Sequence, residues 1–201
     1  MKYALLLLAV LSLASPALAD AARDPALPNP ALTPGAAAST DKNEICQDYR
    51  KAAQSYSKAH RNVTTAMKET IAAAYGIPRS QWHLYEFDHL DPLSWGGYNP
   101  SEHGDRAEIL RNLWPQPLDR PDRRDARHKD RVEYIGWRLI CEGKANPTDL
   151  QMRISRDWVK LAEDMGGLDH LSPTPFENTG PVSVAGRRLR QLGGSFWRHL
   201  Q

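Results

Sequence analysis

Two cysteines, Cys46 and Cys141, constrain this chain more than any other feature. Their effect depends on where the chain resides, and its N-terminus carries an address. Lys2 precedes an almost wholly apolar run from Ala4 to Ala14, and Ala17-Leu18-Ala19 is a small-residue cleavage pattern. Residues 1–19 therefore read as a secretory signal peptide. The alternative is a membrane anchor, but the run is about half of the ~20 residues a span requires, and Pro16 interrupts it. No other stretch is long and apolar enough to span, and no cysteine follows the cleavage site to carry a lipid. The expected destination is periplasmic or secreted, an oxidising compartment in which Cys46 and Cys141 would form one disulfide. Such a bridge would close a long loop and be worth about 4 kcal/mol in the chain-entropy account. Two buried free thiols are the alternative, and two cysteines are too few for a thiolate zinc site.

Of 201 residues, 41% are hydrophobic and 25% charged, which fits one globular domain with tails and excludes a wholly disordered or fibrous chain. Formal net charge is +2, near enough to balance that any basic surface has to be local. Residues 20–42 are rich in Pro and Ala without apolar periodicity and are expected to be a disordered linker. Residues 43–75 read as helical with a break near Arg61-Asn62, stopped by Gly76 and Pro78. Trp82 to Phe87 alternates large residues, as a short strand does. Residues 91–111 carry Gly96-Gly97 and Asn99-Pro100 turn signals and read mostly as loop. Leu113-Trp114 suits a second short strand, ended by Pro115 and Pro117. Residues 125–142 form an amphipathic helix with Val132, Ile135, Leu139 and Ile140 on one face and Gly143 beyond its end. Asn146-Pro147 caps a further helix carrying Leu150, Ile154, Trp158 and Leu161 as a stripe. The expected fold is α+β: a mostly helical domain over 43–165, with a strand–loop–strand–helix unit holding a two-strand, hairpin-like element. A Pro- and Gly-rich basic tail, 166–201, completes the chain.

The chemistry-bearing stretch is 86–133. Asp88-His89 ends the first strand and sends two unlike side chains in different directions. Imidazole takes a proton near neutral pH, and an aspartate oxygen suits a hard divalent cation. Pro92-Leu93, Gly96-Gly97 and Asn99 follow, then Asn112-Leu113-Trp114-Pro115, then His128-Lys129-Asp130 at a helix start. In this run the chain resembles the HNH nucleases of the ββα-metal class. It is more similar still to small exported bacterial HNH-like proteins, which share Asp88 to Gly97, Asn112 to Pro115, Lys129 to Glu133, Cys141-x-Gly143 and Asp157-Trp158. The resemblance covers Cys46 to Val159. It departs at Asp91, where an apolar residue is usual, and in a longer loop from Tyr98 to Arg111 that adds Glu102, His103, Asp105 and Glu108.

The resemblance implies a ββα-metal core and a metal-dependent endonuclease that hydrolyses phosphodiester bonds with little sequence preference. DNA is the expected substrate, with RNA left open. His89 would be the general base and Asp88 a ligand for one divalent ion, Mg²⁺, Mn²⁺, Ni²⁺ or Zn²⁺. Asn112 would brace the loop and hold the His89 ring. The helix ligand would be His128 first, with Asp130 the alternative, and Lys129 and Arg131 would contact phosphates. Local charge gives modest support. Residues 111–131 hold seven Lys/Arg against four Asp, and residues 187–201 hold four Arg and no acid. The tail could also lie on an anionic membrane surface through Leu189, Leu192, Phe196 and Trp197. The competing reading is a non-catalytic exported binding or structural protein on the same scaffold.

Overall fold

The computed structural model describes residues 24–47 and 61–168. The signal peptide, the residues between 47 and 61, and the basic tail with its expected membrane contact lie outside them. The described elements are α1 (Lys42–Cys46), α2 (Thr65–Tyr75), β1 (Tyr85–His89), α3 (Arg106–Leu110), β2 (Leu113–Pro117), α4 (Ala126–Cys141) and α5 (Pro147–Asp164). Short 3₁₀ turns cover Arg79–Leu84 and Leu93–Trp95. The class is α+β. Among the described residues no helix is long and apolar enough to cross a membrane.

Caps explain most helix starts. Thr64, Asp105, Asp125 and Asn146 each accept a backbone N–H of the following turn, satisfying donors the helix cannot. Gly76 adopts φ 68° at the end of α2, where the left-handed conformation suits glycine. Residues 91–111 are less loop-like than expected, because Asp105 nucleates α3 within them. Inside α5 the backbone breaks at Asp157, whose carboxylate caps the second half by accepting from the Lys160 N–H at 2.8 Å.

β1 and β2 pair antiparallel, with Phe87 opposite Pro115 and Asp88 opposite Trp114. β1 starts later than the alternation suggested, and Trp82 sits in the 3₁₀ turn instead. β2 runs through both prolines that were expected to end it. Pro115 and Pro117 share parity with Leu113, whose carbonyl points away from β1 to accept the Thr33 hydroxyl at 3.0 Å. The prolines therefore place their missing N–H on the free edge, where it costs no ladder bond.

Alternation divides the sheet between two cores. Phe87 and Leu113 pack with Met67 and Ile71 of α2 and with Ile109 and Leu110 of α3. Leu90 and Trp114 pack with Val132 of α4 and with Ile154 and Trp158 of α5. Trp95 is fully buried against α4, donating its indole N–H to the Glu133 carbonyl at 2.7 Å. Gly136 makes room for it, since a Cβ there would lie 2.0 Å from the indole.

Residues 24–42 are not a disordered linker. Their periodicity is absent because they fold as a strap held by scattered contacts. Ala26 is fully buried and its carbonyl accepts the Trp158 indole at 2.6 Å. Ala37 bridges Gly97, and Gln151 clamps the strap to the loop by donating to the Ser39 and Trp95 carbonyls at 2.8 and 2.6 Å. The Cys46–Cys141 disulfide fastens α1, at the end of the strap, to the end of α4, with Cα atoms 5.5 Å apart. Replacing both cysteines with serine should lower unfolding stability by about 4 kcal/mol. Urea denaturation checks this, and an unchanged midpoint would show that the bridge restrains nothing the unfolded chain explores.

Candidate metal centre

Asp88 shares the face of β1 with Glu86, and α4 lies over that face. On α4, Lys129 and Glu133 are one turn apart and Asp130 is three residues before Glu133, so all three approach the strand. One ligand oxygen from each of Asp88, Asp130 and Glu133 falls within 4.8 Å of the others. This acidic group could hold a metal ion. Its all-oxygen donor set suits a hard divalent cation such as Mg²⁺ or Mn²⁺ better than a softer one.

Two cations already serve the group. Lys129 is fully buried and donates to Asp88 Oδ2 at 3.1 Å, to the His89 carbonyl at 2.7 Å and to Glu133 Oε1. Arg61 Nη2 donates to Glu86 Oε1 at 2.9 Å and to the Phe87 carbonyl at 3.0 Å, and stands 3.6 Å from Asp88 Oδ1. Burial alone would raise the Asp88 pKa, but Lys129 and Arg61 overcome it and hold the carboxyl below its usual range. Burial would likewise neutralise Lys129, and Asp88 and Glu133 instead keep it firmly charged. The one ammonium does not satisfy Glu133 as well. Burial, with Asp88 and Asp130 nearby, pushes Glu133 up to about 8. Burial and then the Asp88 and Glu86 charges push Asp130 up to about 7, although solvent reaches this exposed residue and screens part of the rise. Four carboxylates thus face two cations. Full ionisation would leave two negative charges uncompensated, the deficit one divalent ion would fill.

His89 lies on the opposite face of β1 from Asp88, with 3% of its surface exposed. Burial pushes its pKa down to about 4, so the ring is neutral at pH 7. Its Nε2 contacts Asn99 Oδ1 at 2.9 Å, a carbonyl-type acceptor. With the Asn99 oxygen turned to the ring, Nε2 carries the proton and Nδ1 the lone pair.

Several expected roles change. Asn112 does brace the loop: its amide donates to the Asp91 and Tyr98 carbonyls at 2.9 and 2.8 Å and accepts from the Asp91 and Ala36 N–H groups. It does not hold the His89 ring, which Asn99 does. Lys129 is not a phosphate contact, because a fully buried ammonium engaged with two carboxylates has no path to a polyanion. His128 does not join the acidic group. Its Nδ1 lies 2.8 Å from Asp125 Oδ1, the cap of its own helix. Arg131 stacks over the Tyr134 ring at 5.5 Å. Asp91 is 2% exposed, and burial pushes it up to about 7. Two of the added acids of the long loop are structural: Asp105 caps α3, and Glu108 accepts from the Tyr98 hydroxyl and the Ser101 N–H.

Sequence reasoning missed Glu133, Arg61 and Asn99 as members of the site. For Glu133 the signal was present, since positions 129, 130 and 133 of one helix share a side. Arg61 comes from a remote segment that no local pattern ties to Asp88. The chain matches no protein-family model, no curated protein and no solved structure, so the meaning of this site rests on its own residues.

Proposed function

We propose that the protein is a metal-dependent phosphodiesterase acting on nucleic acid, an endonuclease of the HNH kind with DNA as its expected substrate. The observation that carries this reading is the Asp88–Asp130–Glu133 group, formed between α4 and one face of β1, the strand that ends in His89 on its other face. The Asp88-to-Gly97 and Asn112-to-Pro115 motifs add the family resemblance. A divalent ion held by the three carboxylates would supply positive charge to the phosphate and to the departing oxygen. His89 would accept a water proton at Nδ1, its ring fixed by Asn99 and kept neutral by burial. Lys129 keeps Asp88 ionised and anchors α4 to the strand, a positioning role. Asn112 holds the loop between Asp91 and Tyr98, from which Asn99 projects.

The test is plasmid nicking by the oxidised mature protein with Mg²⁺, Mn²⁺, Ni²⁺ or Zn²⁺ in turn. Cutting is expected with at least one ion and should stop in EDTA. Failure on duplex, single-stranded and RNA substrates with every ion would sink the enzyme reading. A non-catalytic scaffold is the second reading, favoured by the deep burial of His89 and by the Lys129 ammonium bridging Asp88 and Glu133 where a cation would bind.

A further inference from the structure

Beside the acidic group, on the other side of Arg61, lies an open cleft of about 520 Å³ lined by Arg61, Val63, Lys68, Tyr85, Glu86, Phe87 and Leu118. Its volume falls within the roughly 300–1,000 Å³ typical of small-ligand clefts. We propose that it seats one unpaired nucleotide of a single-stranded nucleic acid, with Arg61 and Lys68 on its phosphate side and Tyr85 against its base. The proposal takes its substrate class from the nuclease reading, but its residues are separate from the three carboxylates and His89.

The lining has the mixed chemistry a nucleotide needs. Val63, Tyr85 and Leu118 provide half-buried apolar and aromatic wall. The lining holds Arg61 and Lys68 with one acid, Glu86, and because Arg61 is shared with the acidic group, Lys68 is the cation the cleft adds. Lys68 makes no ion pair among the described residues. Toward the described residues Arg61 uses a single nitrogen, Nη2, for Glu86, the Phe87 carbonyl and the approach to Asp88. The rest of its planar fork remains for a phosphate, the geometry at which guanidinium excels. Arg61 also joins the two places, since the same side chain lines the cleft and neighbours Asp88. A strand whose nucleotide sits here would run on toward the carboxylates.

Concavity selects the strand form. A base stacked in a duplex offers only its edges, whereas an unpaired base can enter a pocket and lie on an aromatic ring. Sequence preference is not expected, because every base has a face and no side chain of the lining reads an edge with a bidentate amide.

The test reads binding without cutting. A short fluorescein-labelled thymidine strand, and a duplex of the same length, would be titrated in EDTA and followed by anisotropy. The single strand should bind about tenfold more tightly, and Lys68→Gln and Tyr85→Ala should each weaken it about fivefold, within the range of one phosphate contact or one stacked base. Lys68→Gln should also flatten the salt dependence by about 0.7 in slope. Tyr85→Phe keeps the ring and should bind as the native protein does, which separates stacking from damage to β1. Equal affinity for duplex, or native-like binding by both Lys68→Gln and Tyr85→Ala, would overturn the proposal. Strand binding that depends on these residues, with no cutting under any metal, would uphold the cleft and sink the nuclease. Metal-dependent cutting with binding unchanged in both variants would do the reverse.

Discussion

Substituting His89 with alanine is expected to slow metal-dependent plasmid nicking by about 10²–10⁴-fold, the usual worth of a positioned general base. The loss should fall on turnover with little change in DNA binding, because His89 faces away from the Arg61 side of the site. His89→Gln, closer in size to the buried ring, controls for packing and should lose activity while keeping its unfolding midpoint. The pH profile adds a sign. Burial lowers the His89 pKa to about 4, so its neutral form persists from pH 8 down to about 5. Nicking at saturating metal should therefore show no inflection near 6.5, where an ordinary histidine would protonate. Native-like nicking by both variants would remove His89 from the mechanism.

The largest effect on stability is expected at Lys129. Lys129→Met keeps the length of the side chain but strands Asp88 and Glu133 without their ammonium. Breaking a buried pair in this way costs about 3–5 kcal/mol. In a chain of this size that lowers Tm by roughly 10 °C. The deficit should grow with pH. In the native protein Asp88 is held below its ordinary pKa, and its contribution is present above that value and lost in acid. Without Lys129 the same carboxyl would be raised instead, so the folded variant binds more protons than its unfolded form. Its stability then falls as pH climbs from about 4 toward neutrality. A divalent ion should recover more stability in Lys129→Met than in the native protein, because it replaces the missing charge among the same oxygens. Thermal melts with Mg²⁺ or Mn²⁺ decide this. An equal gain in both proteins would mean that the ammonium and the ion do not share a place.

The elements that could be read from sequence are those with local causes. The helices at 126–141 and 147–164 follow from apolar stripes and from Asp125 and Asn146 as caps, and the disulfide from compartment and count. Only the family resemblance brings Asp88 and Asp130 together, and it ranks His128 ahead of Asp130. The strap could not be read, because Ala26, Thr33 and Ser39 are held by one or two hydrogen bonds each to residues far along the chain, and such contacts leave no period. Lys129 was misread for a related reason. A lysine among arginines looks solvated, and only the fold reveals that two acids from different elements enclose it. The strand boundary moved because alternation does not distinguish a 3₁₀ turn from the residues that follow it.

The strap also bears on when the chain can acquire its shape. Ala26 and Trp158 meet across 132 residues, so the strap waits for α5 to be made. Closing such distant contacts is entropically slow, and a chain rich in them folds late. Ribosomal emergence alone would leave the larger core open until α5 is complete. A polypeptide of this topology stays pliable until α5 has been made and the strap can close over it.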